Sequence, residues 1–170
     1  MDLLHLHLLL NHFPVIGTII GIALLLLGFV TKSDSLKRAS LAMFFVLALL
    51  TIAVFLTGEP AEERVEKSPG VSKALMEEHE DAAMAALIAM EVTGCIALIG
   101  LFVSFRASKF ANIGFAAALI LSVITFGLMA RTANLGGQIR HAEIRSGTAG
   151  PGNENPAATK RKKDDDDDKD

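Results

Sequence analysis

Tyrosine and tryptophan are both absent from the 170 residues, and cysteine occurs once, as Cys95. The first absence removes the usual anchors at a membrane–water interface and leaves ten phenylalanines as the only aromatic side chains. The second excludes an intrachain disulfide and any Cys-x-x-Cys redox or zinc pair. Charge is also sparse. Asp, Glu, Lys and Arg make up 21% of the chain, below the usual quarter, and 16 cations against 19 anions leave a net charge of −3. The anions gather in one loop and in the tail, so there is no basic stripe for nucleic acid. A Gly-rich phosphate loop, a nucleophile elbow and a His-Glu-x-x-His motif are missing as well.

What the chain has is apolar length. Residues of the apolar set make up 51%, mean hydropathy is +0.44, and the apolar residues fall into four blocks at 8–30, 39–57, 82–105 and 110–130. A domain this small cannot bury blocks of that length on every side. Each is long enough for the roughly 20 helical residues that cross a hydrocarbon core. Gly and Pro are scattered without the alternation of a membrane β-strand, so the blocks read as helices. The first lacks the basic leader and small-x-small site of a cleaved signal peptide, and reads as a retained span. The expected fold is all-α: an integral membrane four-helix bundle running up-down-up-down, with a helical outer loop. The transmembrane domain covers residues 1–145. Residues 146–170 form a polar tail whose composition cannot build a core, and its closing Asp-rich run reads equally as a native acidic tail or a tag remnant.

Loop charge sets the orientation. Lys32, Lys37 and Arg38 outweigh Asp34 in the first loop, and Arg106 and Lys109 stand without an acid in the third. Both loops therefore belong inside, while the acidic middle loop and both termini belong outside. Within the middle loop, Pro60 reads as the start of a short helix that Ser68-Pro69-Gly70 breaks. Ser72 reads as the N-cap of a helix from about residue 73 to 105 that stands well above the outer surface. Pro14 is expected to kink the first helix near Leu10, and Gly136-Gly137 to interrupt the fourth.

All five histidines, His5, His7, His12, His79 and His141, map to the outer end. By residue count His12 lies near the outer boundary and His79 about two turns above it. Two facing imidazoles at similar depth would hold b-type haem or a first-row metal such as copper. The competing reading is that both are interfacial residues bonded to backbone or water. His5-x-His7 is a weaker pair, because residues two apart diverge by about 200° on a helix. Glu91 lies inside the third span and needs a reason to be there. It reads either as a proton acceptor beside a quinone or metal pocket, or as a carboxyl paired with Arg131. Gly17, Gly21 and Gly28 form a small-residue ridge for close helix contact, on the opposite side of the helix from His12. Cys95 is mid-span, where burial would leave it inert.

Asn11-His12-Phe13-Pro14, Thr57-Gly58-Glu59-Pro60-Ala61-Glu62-Glu63, Pro69-Gly70-Val71-Ser72, Glu78-His79-Glu80-Asp81-Ala82 and Gly136-Gly137-Gln138-Ile139-Arg140-His141 occur in this order. Together they resemble an uncharacterised family of bacterial four-helix membrane proteins, over residues 8–145. Some similar proteins are fused to Rieske-type iron–sulfur domains, which implies electron transfer at the outer face of a bacterial inner membrane with both termini periplasmic. The resemblance carries His12, His79 and His141 as site residues. No Rieske ligand pattern is present here, so such a partner would be a separate chain.

The expected function is thus a membrane redox subunit in quinol-linked electron transfer. His12 and His79 would be haem or metal ligands, His141 a substitute or second-site ligand, and Glu91 would lie near a quinone or proton path. The lipid bilayer is one expected partner, and a periplasmic electron-transfer protein or larger membrane complex another. The alternative is a non-catalytic scaffold that docks a periplasmic protein through its acidic loop and charged tail. A pure transporter ranks third, since only one acid lies in the spans and no pair of broken helices is evident.

Overall fold

The computed structural model describes residues 3–66, 71–106 and 108–140. Five helices account for nearly all of them: α1 (Leu3–Leu10), α2 (His12–Val30), α3 (Asp34–Glu66), α4 (Lys73–Arg106) and α5 (Ser108–Arg140). No strand occurs among the described residues. Four spans are long and apolar enough to cross a membrane, with α1 and α2 together supplying the first. Only about a third of each span's most apolar stretch is buried within the protein, so lipid must cover the rest. The chain is an all-α membrane bundle, as its sequence implies.

Short connections force antiparallel neighbours. The contacts run α2 to α3, α3 to α4, α4 to α5 and α5 back to α2, closing a ring, while α1 lies along α3. One end of the bundle carries the turn at residues 31–33 and the junction near residue 107, and so collects Lys32, Lys37, Arg38, Arg106 and Lys109. We call this the basic end. The opposite, histidine end carries His5, His7, His12 and His79.

Leu25, Leu41, Phe44, Met90, Phe115 and Ala118 fill the core. Close approach depends on small residues, as expected where helices associate without a hydrophobic driving force between them. Gly17 and Gly21 lie under Leu47 and Phe44 of α3, and Gly28 lies under Lys37, so the ridge predicted on the first helix packs as a ridge. Gly100 of α4 meets Gly114 of α5 almost backbone to backbone. Thr93 and Thr125 share a hydrogen bond of 2.9 Å across the α4–α5 interface, and the Ser40 hydroxyl donates to the Gly21 carbonyl at 2.7 Å.

Pro14 acts as expected. It cannot donate to the Leu10 carbonyl, and the helix breaks between Leu10 and His12. Asn11 keeps right-handed helical angles, φ −62° and ψ −22°, so the break is a kink rather than a loop. Ser72 also caps as expected, accepting from the Leu75 amide at 3.4 Å at the start of α4. Two expectations fail. Pro60 does not start a new helix but sits inside α3, which runs unbroken to Glu66. The proline costs the Leu56 carbonyl one bond, and the packing of α1 along α3 keeps the helix in line. Gly136-Gly137 does not interrupt the last helix either, because Gly136 has a packing role in α5. The break expected at Ser68-Pro69-Gly70 and the whole tail from 146 lie outside the described residues.

Candidate functional site at the histidine end

α1 lies along α3, and His7 shares the face of the buried Pro14, Thr18 and Leu25, within about 20° of each at roughly 100° per residue, so it faces inward. The His7 Nδ1 lies 3.1 Å from the Val54 carbonyl and 3.3 Å from the Thr57 hydroxyl, both on α3. A carbonyl only accepts, so Nδ1 carries the proton and Nε2 is left with a lone pair in the neutral ring. His79, near the start of α4, repeats this arrangement. Its Nδ1 donates to the Thr132 carbonyl of α5 at 3.0 Å. Both rings are half-buried.

Glycines make room for both rings. A Cβ on Gly136 would lie 3.1 Å from the His79 Cε1, and one on Gly58 would lie 3.5 Å from the His7 Cε1. One turn beyond His7, and so on the same face of the kinked helix, the Asn11 Oδ1 is buried without a hydrogen-bond partner. Three acceptors therefore gather at this end: two imidazole nitrogens fixed by their outer hydrogen bonds, and one orphaned amide oxygen. A buried acceptor without a donor is costly unless something electropositive meets it.

The other candidate residues are placed differently. His12 is exposed, and its Nδ1 donates to the Leu8 carbonyl of its own chain segment at 2.9 Å. It lies opposite the glycine ridge, as the helical spacing implies, and so faces outward. His5 is exposed too. His141 lies outside the described residues. Arg131 does not pair with Glu91 but with Glu78, at 3.1 Å and on the surface. Glu91 keeps one carboxyl oxygen, Oε1, buried without a partner. It lies 12 residues, or about 18 Å, below His79 along α4, too far to touch the same group. Cys95 is exposed on the outside of the bundle rather than buried.

Sequence reading missed His7 because it ranked the histidines by depth and by their spacing from one another. The signal was in the helical period, which puts His7 on the same face as Pro14, Thr18 and Leu25. Among the described residues no group of three or more His, Cys, Asp or Glu side chains converges. The arrangement is thus two imidazoles without a third charged ligand.

A family model described as "Predicted membrane protein (DUF2231)" matches residues 4–144. No curated protein matches the chain, and no solved structure does.

Proposed function

The chain belongs to this DUF2231 family of predicted membrane proteins, and from that premise we propose that it is a membrane redox subunit whose redox group is held between His7 and His79. The observation that carries the proposal is the matched pinning of the two rings. Each gives its Nδ1 proton to a backbone carbonyl of a neighbouring helix, which fixes the ring and leaves Nε2 to bind. That outer hydrogen bond is the arrangement that orients and strengthens imidazole ligands of metals.

Two imidazoles and no third charged ligand would suit a b-type haem better than a bare ion, which usually takes three or four protein ligands. A copper ion is the smaller alternative, with the Asn11 Oδ1 available as a third donor. Bound haem would supply a one-electron couple; this chain's residues hold it, shield it and set its potential. Glu91, well below the site and with an unpartnered oxygen, belongs on a proton or quinone path rather than beside the metal. Periplasmic placement of the histidine end follows from the positive-inside rule, since the opposite end carries the basic loops. A periplasmic electron-transfer protein would then be the natural partner.

The test is a substitution series on the full chain, purified from cells supplied with haem and copper and assayed for haem and metal per chain. His7→Ala and His79→Ala should each lose the group, and His12→Ala should keep it. Loss with His12→Ala and retention with His7→Ala would return the ligand role to His12. A wild-type protein free of haem and metal would reduce His7 and His79 to latches that tie α1 to α3 and α4 to α5.

A further inference from the structure

The basic end holds a cavity of about 620 Å³ where the end of α2, the start of α3 and the start of α5 meet. Its walls are Phe29 and Phe115, and three cations, Lys32, Lys37 and Arg38, line it against one anion, Asp34. Lys37 is an unusual residue for such a place, because its side chain is only 7% exposed. Its ammonium lies 4.8 Å from the Phe115 ring centre and 5.5 Å from that of Phe29, and pairs with the Asp34 carboxylate at 2.7 Å. Arg38 is held in place by the Ser104 hydroxyl and carbonyl, at 3.1 and 2.8 Å, with its guanidinium 4.4 Å from the Phe105 ring centre.

Lys32 adds an independent observation. It has φ 56°, a left-handed conformation that favours glycine. The amides of Lys32 and Ser33 return to the Phe29 and Gly28 carbonyls, so Lys32 fills the C′ position of a Schellman motif, where glycine is the usual residue. A cation thus stands where the backbone would prefer no side chain, at the mouth of a cavity already rich in cations. At the same level the bundle shows lipid large apolar side chains, with Val30 80% and Ile113 66% exposed.

We propose that this cavity binds the phosphodiester headgroup of an anionic phospholipid. Lys37 and Arg38 meet the phosphate at the protein side and Lys32 closes over it from the turn. The acyl chains lie against α2 and α5, beside Val30 and Ile113. Basic pockets between membrane helices at headgroup depth are suited to such lipids. Lys37, whose carboxylate partner is mostly in water, gains a second counter-ion. This inference does not depend on the redox reading, since the two sites lie at opposite ends of the bundle.

The experiment adds phosphatidylglycerol to the detergent-purified full chain and reads retained lipid by native mass spectrometry and thermal stabilisation. Phosphatidylcholine with the same acyl chains and inorganic phosphate are run in parallel. One phosphatidylglycerol per chain should be retained in preference to phosphatidylcholine, and inorganic phosphate should stabilise far less. Lys32→Gln should weaken binding about fivefold, while Lys109→Gln, a cation at the same end but outside the cavity, should leave it unchanged. Asp34→Asn should tighten binding, because it removes the competing carboxylate. Equal retention of the two lipids, equal weakening by Lys109→Gln, or no gain with Asp34→Asn would overturn the site. Stabilisation by inorganic phosphate equal to that by phosphatidylglycerol would reassign it to a soluble phosphate.

Discussion

Single glycines divide sharply by what faces them. A Cβ on Gly114 would come within 2.9 Å of the Gly100 Cα, and a backbone atom in a packed helix cannot swing aside. Gly114→Ala should therefore cost about 1–3 kcal/mol in a reversible unfolding titration. Gly127 meets nothing within 4 Å, so Gly127→Ala should gain up to about 1 kcal/mol from helix propensity alone. No loss at Gly114 would show that the α4–α5 interface is looser than described. Lys32→Gly should likewise gain about 1 kcal/mol by relieving the left-handed turn, even as it weakens lipid retention. The histidines make a pH prediction with a definite sign. Ligation uses neutral imidazole, so the redox group should be held at neutral pH and released as acid protonates His7 and His79. Release on raising the pH instead would be incompatible with ligation through Nε2.

At the scale of elements, the helical period through α1 and α2 decides which histidine faces the bundle: His7 shares the face of Pro14, Thr18 and Leu25, and His12 lies opposite the glycine ridge. Pro14→Ala restores a donor to the Leu10 carbonyl and should join α1 to α2 in one straight helix. Because that keeps His7 on the buried face, Pro14→Ala should keep the group that His7→Ala loses. Spin-label distances between α1 and α3 should then stay unchanged, and a large shift with loss of the group would show that the proline sets the direction of α1. The same elements mark how far the sequence was legible. Span number, the Ser72 cap, the glycine ridge and the kink itself followed from local rules of hydropathy, capping and backbone chemistry. Pro60 and Gly136-Gly137 misled because local rules price a proline or glycine in isolation. Here the price is met by a neighbouring helix, α1 for the one and His79 of α4 for the other. Burial of Cys95 was misjudged for a related reason, since mid-span depth says nothing about which face of a helix turns to lipid. Within the proposed site, His79 was singled out by its depth, whereas His7 was passed over although it shares the buried face of the first helix.

For the whole molecule, separation of the two ends is the governing feature. Lys32, Lys37, Arg38, Arg106 and Lys109 lie at one end, and the half-buried imidazoles lie at the other, with an apolar bundle between them. On the proposed topology, which follows the positive-inside rule, the histidine end lies outside. A reporter active only in the cytoplasm should be silent when fused after Asp170 and active when inserted in the turn at residues 31–33; the reverse pattern would invert the bundle. The central claim, a redox group between His7 and His79, is tested most directly by the reduced-minus-oxidised visible spectrum of the purified wild-type chain. With no Trp and no Tyr the protein itself is nearly transparent at 280 nm and beyond, so the visible signal belongs to the bound group. A haem with two imidazole ligands predicts a Soret band that shifts on reduction. A colourless protein from haem-replete cells, with no stoichiometric copper, would contradict the claim.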